Sequence, residues 1–248
     1  MPGSDVVFTV LENGQPSETF KMDNERGELI IRKALDREKQ EKYAMTIGAK
    51  DLLGGTIEDD IEFEIIVNDL NDERPKFQND AYTIRLKEHS KLGQVATVAS
   101  LQEPPYKSIY ATDDDKIDRP KESTNCSPGY GNGDLTYVIS SKWFDVKTCY
   151  DRQVEVYYAV LSVKTKNLTA LDRENRPPDL DFTIRANDQG TPHQQSDEIP
   201  ISVELIDIND HPPRFKDAGK IMQSPGIPED VPIYSEILKI DIIDEVCD

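Results

Sequence analysis

Two short acidic stretches carry the residues best suited to chemistry in this chain of 248 residues. They lie at 69–77 (DLNDERPKF) and 207–215 (DINDHPPRF), and each follows a run of alternating apolar residues. Their crowded carboxylate and amide oxygens suit a hard cation such as Ca²⁺, which takes about six to eight oxygen ligands. The prolines end the preceding strand and stiffen the exit of the chain. We name these stretches the first joint and the second joint, and we predict that both bind calcium between successive β domains.

The charge of the chain limits the classes of function that it can have. A net charge of −19 argues against nucleic-acid binding, which needs a basic face. So large a negative charge repels itself in a compact state, and bound cations would relieve that repulsion. The carboxylates of residues 113–115 could serve acid–base chemistry. No nucleophile–base pair, phosphate-binding loop or catalytic motif accompanies them in the sequence, so we do not expect an enzyme.

Alternating apolar and polar residues predict the strands that position the joints. Before the first joint, 6–11 (VVFTVL) and 43–51 (YAMTIGAKD) alternate in this way, and 135–139 (LTYVI) and 182–188 (FTIRAND) repeat them later in the chain. The sequence shows no helical period of useful length. The pattern therefore predicts an all-β fold of antiparallel sandwiches in a row.

The two halves of the chain are copies of one another. The offset is 136 residues from Asp36 to Asp172, and it is 138 from Asp72 to Asp210. Motifs that recur in one order at nearly one offset indicate a tandem repeat. We expect a first unit at 1–72 without its N-terminal strands and a complete second unit at 73–210. We expect the N-terminal strands of a third unit at 211–248, among them a strand at 237–240 (ILKI).

A long polar insertion interrupts the second unit near 101–133. Connections of this length are uncommon in compact domains, and they indicate a functional or disulfide-tied loop. The three cysteines form no Cys-x-x-Cys pair, which argues against zinc and redox motifs. Cys126 and Cys149 lie in or beside the insertion, and we predict that they form one disulfide and leave Cys247 over.

Other sequence features favour an extracellular glycoprotein. Glycosylation sequons are present at 125–127 (NCS) and 167–169 (NLT). Together with a disulfide, they indicate an oxidising compartment. The sequence has no signal peptide and no apolar run of about 18 residues. We therefore expect contact with a membrane only through absent parts of the parent chain.

In combination, these motifs resemble the cadherin repeat. The blocks at 35–38 and 171–174 (LDRE in both), the strand ends at 49–51 and 186–188, and the two joints occur in the cadherin order. The resemblance covers nearly the whole chain and favours a long or protocadherin-like member. It implies seven-stranded Greek-key β-sandwiches in an extended rod, with several Ca²⁺ ions at each linker held by ligands from both neighbouring repeats.

Carried over onto this sequence, the resemblance implies two sets of calcium ligands. The first linker would use Asp36, Glu38, Asn71, Asp72, Asp113, Asp115 and Asp188. The second linker would use Glu88, Asp172, Glu174, Asn209, Asp210 and Asp244. Arg37 and Arg173 are interpreted as structural ion-pair partners rather than as ligands.

The resulting functional hypothesis is a calcium-dependent extracellular segment for cell adhesion or tethering, made rigid by Ca²⁺ at the linkers. The expected partner is another cadherin, in homophilic or heterophilic contact, or another extracellular protein. The expected location is outside the cell, within a single-pass membrane protein of the cell surface. In the alternative hypothesis, the chain is a ligand-recognition module that uses the insertion at 101–133 as its contact surface.

Overall fold

The first part of the chain forms two small β-sheets. The structure, a computed structural model, describes residues 6–51, 53, 55, 60–99, 109–117, 126, 129–223 and 226–243. The first six strands are β1 Val6–Glu12, β2 Gln15–Pro16, β3 Phe20–Asp23, β4 Glu28–Ile31, β5 Lys42–Asp51 and β6 Ile61–Ile66. One sheet has the order β2-β1-β5-β6, and the antiparallel pair β3-β4 forms the other. Phe20, Tyr43 and Met45 are buried at the centre of this part.

The middle of the chain is a complete sandwich of two sheets. Its strands are β7 Lys76–Phe77, β8 Tyr82–Lys87, β9 Thr97–Val98, β10 Tyr110–Thr112, β11 Leu135–Ile139, β12 Phe144–Asp151, β13 Val156–Val163, β14 Phe182–Asp188 and β15 Ile199–Ile206. A four-stranded sheet, β12-β13-β10-β7, packs against a five-stranded sheet, β11-β14-β15-β8-β9. A single 3-10 helix among the described residues, Leu168–Ala170, follows β13. None of the helices described is long and apolar enough to cross a membrane.

Alternating burial holds the sandwich together. Every second residue of β14 and of β15 is buried, as the sequence pattern predicts. Ile184 and Ile201 from these strands belong to one continuous core with Leu135 from β11 and with Phe144 and Leu161 from the other sheet. Each large apolar side chain that is fully buried stabilises the fold by about 1.5–3 kcal/mol.

The strand register confirms the repeat. Val6 pairs with Asp51 where β1 meets β5, and Leu135 pairs with Asp188 where β11 meets β14. In both copies an aspartate is therefore the last residue of one strand (β5 or β14) and lies beside the first residue of the paired strand (β1 or β11). The next antiparallel neighbour is β6 in the first copy and β15 in the second. The all-β tandem fold predicted from the sequence is confirmed.

The third segment differs from its prediction. Its strands are β16 Arg214–Phe215 and β17 Ile242–Ile243, which pair with each other. The strand predicted at 237–240 is wrong, because these residues adopt no regular structure. A two-stranded ribbon offers too little apolar surface to order further strands, and both isoleucines of β17 are exposed.

The disulfide between Cys126 and Cys149 is present, as predicted. It ties the insertion to β12, whose Cys149 is buried. Of the insertion at 101–133, the described residues are 109–117, 126 and 129–133. Cys247 lies outside the described residues, as does the sequon residue Asn125.

Candidate metal centres

Three carboxylates meet at the first joint. One oxygen from each of Glu38, Asp72 and Asp115 lies within 4.8 Å of the oxygens from the other two. Glu38 is the last residue of the first LDRE block, Asp72 lies in the first joint, and Asp115 lies in the turn after β10. The predicted ligands therefore converge here from both sides of the joint, although they stand up to 77 positions apart in sequence.

Four oxygens at this joint are buried and accept no hydrogen bond. They are Asn71 Oδ1, Asp113 Oδ2 and both carboxylate oxygens of Asp115. Asn71 is only 4% exposed and Asp115 only 3%. Buried oxygens without a donor are costly, and each one requires a partner that the protein itself does not supply. All four atoms are acceptors, so the partner they fit is a cation with oxygen ligands.

The pKa values of Asp113 and Asp115 also favour a bound cation at the first joint. Burial, followed by the negative charges of Asp188, Asp114 and Glu73, raises the pKa of Asp113 from 3.8 to about 6. Burial, followed by the charges of Asp113 and Asp69, raises the pKa of Asp115 to about 7. Two acids with raised pKa values side by side are unfavourably ionised near neutral pH. A divalent cation between them would remove that cost.

Asp188 is held in place by donors from both sides of the joint. Its carboxylate accepts hydrogen bonds from Asn71 Nδ2 over 2.9 Å and from the backbone nitrogen of Gln194 over 2.9 Å. Gly190 allows this close packing, since a Cβ at this position would lie 2.3 Å from Asn71 Oδ1 and 2.7 Å from Asn132 Oδ1. The predicted ligands Asn71 and Asp188 are therefore neighbours.

Asp36 is one of the predicted ligands of the first set that do not belong to the carboxylate cluster of Glu38, Asp72 and Asp115. Its carboxylate accepts the backbone nitrogen of Lys39 over 3.0 Å, and it pairs with Lys39 Nζ at 2.5 Å. The hydrogen bond from Lys39 holds the pKa of Asp36 below its usual value. In this structure a lysine of the same turn therefore neutralises Asp36.

The two LDRE arginines are structural, as predicted. Arg37 forms an ion pair with Asp69, and the equivalent Arg173 forms one with Asp207 at 3.6 Å. Arg37 Nη2 also donates to the carbonyl oxygen of Asp114 over 2.7 Å. Each arginine therefore fixes the first aspartate of the joint that follows its own repeat.

The second joint also gathers three carboxylates, from Glu88, Glu174 and Asp207. Glu88 is buried, and its two oxygens accept the backbone nitrogens of Arg173 over 2.9 Å and Ile208 over 2.5 Å. These bonds hold the LDRE turn and the joint against the same side chain. Glu88 therefore organises the second joint even though its oxygens already have donors.

The other predicted ligands of the second joint are less closely gathered. Asp172 accepts the backbone nitrogens of Glu174 and Asn175, and its Oδ2 accepts Asn175 Nδ2 over 2.9 Å. Asp210 lies between two imidazoles, 2.8 Å from His211 Nδ1 and 3.4 Å from His89 Nδ1. Asn209 is exposed. Asp244 lies outside the described residues.

Sequence reasoning left out two residues of these sites, Asp69 and Asp207. Asp207 belongs to the carboxylate cluster of the second joint. Asp69 accepts hydrogen bonds from Asn132 Nδ2 over 2.7 Å and from the backbone nitrogen of Lys116 over 3.2 Å. The sequence contains a signal for both residues, because an aspartate is the first residue of each joint: Asp69 in the first and Asp207 in the second.

Comparison with known proteins shows which proteins this chain is similar to. Residues 2–68 match the family model of the cadherin domain. Over 243 residues the chain is 28% identical to mouse protocadherin Fat 4, an alignment that covers 98% of this chain and 4% of that protein. It is also 28% identical to human cadherin-7 over 248 residues, covering 98% of this chain and 27% of that protein. The chain thus spans a small fraction of the relatives that it matches.

Solved structures of cadherins share the fold. Mouse clustered PcdhgC3 EC1-3 matches with a TM-score of 0.66 at 21% identity, over 96% of this chain and 66% of that chain. The human desmocollin-1 ectodomain matches with a TM-score of 0.58 at 19% identity, over 96% of this chain and 39% of that chain. The relatives are cadherins and protocadherins rather than enzymes, which agrees with the sequence prediction. The match of residues 2–68 to the cadherin domain model and the similarity of nearly the whole chain to cadherins and protocadherins confirm the predicted resemblance to the cadherin repeat.

Proposed function

We propose that this chain is a calcium-dependent segment of an extracellular adhesion or tether protein, and that Ca²⁺ at its joints makes it rigid. The observation that carries the proposal is the group of buried, unpartnered oxygens of Asn71, Asp113 and Asp115. A cation with oxygen ligands can satisfy these four acceptors at once without adding donors from the protein. The ligand sets proposed for the two joints are those predicted from the sequence, with Asp69 and Asp207 added.

The joint between the two units would become rigid because the proposed calcium ligands come from both units. We propose units at 1–72, 73–210 and 211–248, so that Glu38 and Asp72 belong to the first unit and Asp115 to the second. An ion held by all three would add a further link between the two units, beside the hydrogen bonds from Arg37 to Asp114 O and from Asn71 to Asp188. Without the ion, the same carboxylates repel one another across the joint. Calcium would therefore hold successive units in one relative orientation, in an extended rod.

The chain's own residues would position the ion and exclude water. Bound calcium supplies positive charge to the first joint. Asn71 is oriented by its bond to Asp188, so its carbonyl oxygen stays available. Asp115 is kept in the turn by the bond from its backbone nitrogen to Asp113 Oδ1 over 3.1 Å. A ligand that binds only the native state stabilises it by about 2.7 kcal/mol at 100 times its Kd.

The similarity to cadherins supports a proposal for the partner and the location of the parent protein. We propose that the parent protein is displayed at the cell surface and that its partner is another cadherin or another extracellular protein. This chain would act as a spacer. Its length and stiffness would determine the position of those repeats of the parent protein that bind the partner.

Isothermal titration calorimetry with calcium tests the proposal. The wild-type chain should bind Ca²⁺ in preference to Mg²⁺, since the crowded and irregular oxygen set suits the larger ion. Asp115→Asn should remove binding at the first joint and leave binding at the second. Asp145→Asn, which changes an exposed carboxylate on β12 that pairs with Lys164, is the matched control and should leave both intact. Absence of calcium binding by the wild-type chain would overturn the proposal.

A second candidate function rests on the disulfide. Cys126 anchors the insertion to β12 beside a mostly apolar recess of about 200 Å³ lined by Tyr110, Asp151, Val154, Val156 and Tyr158. A covalently fixed insertion next to an apolar recess favours ligand recognition at this face. Partner binding by a variant with residues 118–125 deleted tests it. Unchanged binding would exclude this face as the contact surface.

A further inference from the structure

A buried aspartate stands behind the first joint without facing it. Asp134 is 0% exposed and precedes β11 directly. Its Oδ2 accepts the backbone nitrogens of Tyr130 over 2.7 Å and Gly131 over 2.5 Å, and its Oδ1 accepts the hydroxyl of Tyr157. A buried carboxylate is tolerated only when its lone pairs are satisfied, and here three donors do so.

The bonds of Asp134 determine the shape of the turn at 129–133. Gly129 packs so closely that a Cβ there would lie 2.1 Å from Asp134 Cγ. The backbone nitrogen of Asp134 also donates to Gly131 O over 3.1 Å, which closes the turn on itself. The carboxylate therefore fills the inside of the turn, and the turn cannot keep this shape without it.

The opposite side of the same turn forms a wall of the first joint. Gly133 lies against the backbone of Asp115, where a Cβ would stand 2.1 Å from Asp115 O. The backbone nitrogen of Gly133 donates to Lys116 O over 2.9 Å. Asn132 Nδ2 donates to Asp69 Oδ2 over 2.7 Å. The turn thus touches Asp115 and Asp69 from one side and Asp134 from the other.

Tyr157 connects this turn to the core of the sandwich. Its side chain is buried on β13 and packs on Tyr150 with ring centroids 4.8 Å apart. Its carbonyl oxygen accepts the hydroxyl of Tyr137 over 2.6 Å, and that hydroxyl accepts the backbone nitrogen of Ala111 over 2.8 Å. The hydroxyl of Tyr157 is therefore held at a fixed point from which it orients Asp134.

We propose that Asp134 and Tyr157 are positioning residues for the metal centre of the first joint. They act through the turn at 129–133, which places Asp115 and Asp69, and neither is itself a ligand. The inference rests on the proposed function, because it assumes that the first joint binds calcium. Groups that orient metal ligands typically change metal affinity by about 10–100-fold when they are removed. Because Tyr157 acts at one further remove, we expect the lower end of this range, about 10-fold.

Calcium titrations followed by amide resonances separate the two joints. The signals of Asp115 and Gly133 report on the first joint, and those of Arg173 and Ile208 report on the second. Tyr157→Phe removes only a hydroxyl, and it should weaken binding at the first joint about 10-fold while the second joint changes by less than about 2-fold. Asp134→Asn should act in the same direction. Thr183→Val, which removes a hydroxyl that donates to Glu198 Oε2 over 3.2 Å, is the control and should leave both affinities unchanged.

Hydrogen exchange in the presence of a chelator supplies a second readout that needs no metal. In Tyr157→Phe the amides of Tyr130 and Gly131 should exchange faster than in the wild type, because their acceptor is no longer held in place. Equal weakening of both joints, or an unchanged first joint, would overturn the inference. If the wild-type chain itself shows no saturable shift at the first joint, the proposed calcium function fails instead.

Discussion

Asn71 Nδ2 donates a hydrogen bond to Asp188 Oδ2 over 2.9 Å, although the two residues stand 117 positions apart in the chain. The bond directs the amide nitrogen toward Asp188 and leaves Asn71 Oδ1 buried without a donor. The side chain of Asn71 thus donates to the carboxylate at the end of β14 and presents an oxygen to the joint. The relationship explains why a short acidic stretch can build a site only when the β14 strand end lies beside it.

Gly190 should be essential to this relationship. In Gly190→Ala the new Cβ would collide with Asn71 Oδ1 and Asn132 Oδ1, and at least one of these side chains would have to move. We expect weaker calcium binding at the first joint and a lower melting temperature. The matched control is Gly226→Ala, because a Cβ there meets nothing within 4 Å. Equal behaviour of the two variants in calorimetry and melting would show that Asn71 has no role.

Asp72→Ala and Asp51→Ala should have different effects, because Asp72 belongs to the carboxylate cluster of the first joint and Asp51 holds a turn. From the sequence we expect Asp51 to be a solvated charge, but its Oδ1 accepts the backbone nitrogens of Leu53 over 2.9 Å and Gly55 over 2.8 Å. Asp51→Ala should therefore remove the hydrogen bonds that hold this turn. We expect the free energy of unfolding to fall by about 0.5–2 kcal/mol, as it does when other capping side chains are removed, and the melting temperature to fall with it. It should leave calcium affinity unchanged.

Asp72→Ala should instead weaken calcium binding at the first joint, since Asp72 belongs to the carboxylate cluster. Calcium affinity, measured by calorimetry, is the quantity that separates the two variants. A loss of affinity in Asp51→Ala as large as that in Asp72→Ala would show that the first joint is wrongly assigned.

Lys39 should compete with calcium at the first joint. Its ammonium group pairs with Asp36, whereas the equivalent residue of the second copy is the neutral Asn175, whose amide bonds Asp172. Lys39→Asn should tighten calcium binding at the first joint by up to about 5-fold, since exposed ion pairs are worth at most about 1 kcal/mol. Lys33→Asn, which breaks the exposed pair with Glu18 at 2.6 Å, is the control. Unchanged or weaker binding in Lys39→Asn would contradict this role.

Stability without calcium should fall as the pH rises. The pKa of Asp113 is about 6 and that of Asp115 is about 7 in the folded chain, against 3.8 for an ordinary aspartate. Between these values the folded state binds more protons than the unfolded state, so the free energy of unfolding decreases with increasing pH. The contribution is fully present below about pH 4 and is lost as the pH passes the folded values.

Melting temperatures at pH 5 and pH 8 in chelator measure this effect. The wild-type midpoint should fall between the two values, and in saturating calcium this trend should weaken or reverse, since protons compete with the ion for the same oxygens. A double variant, Asp113→Asn with Asp115→Asn, should show a flatter dependence in chelator. Identical slopes for wild type and variant would show that these two acids do not titrate with raised pKa values.

The sequence predicts the repeats well because their signals are local. Alternation predicts β14 and β15, and the repeated offset places the two joints and both LDRE arginines without knowledge of the fold. The contacts that order the first joint are not local. Asp134 accepts a hydrogen bond from the hydroxyl of Tyr157, which lies 23 positions away on another strand. No pattern in the sequence around either residue indicates that they form a pair. The strand predicted at 237–240 failed for a related reason, since a short apolar run forms a strand only where a sheet accepts it.

Small-angle scattering during a calcium titration tests the central claim most directly. In chelator, the wild-type chain should scatter as units with variable relative orientation, since the carboxylates of Glu38, Asp72 and Asp115 repel one another at the first joint. As calcium saturates the joints, the distance distribution should narrow to that of one extended and stiff particle. Scattering curves that superimpose in chelator and in calcium would contradict the account.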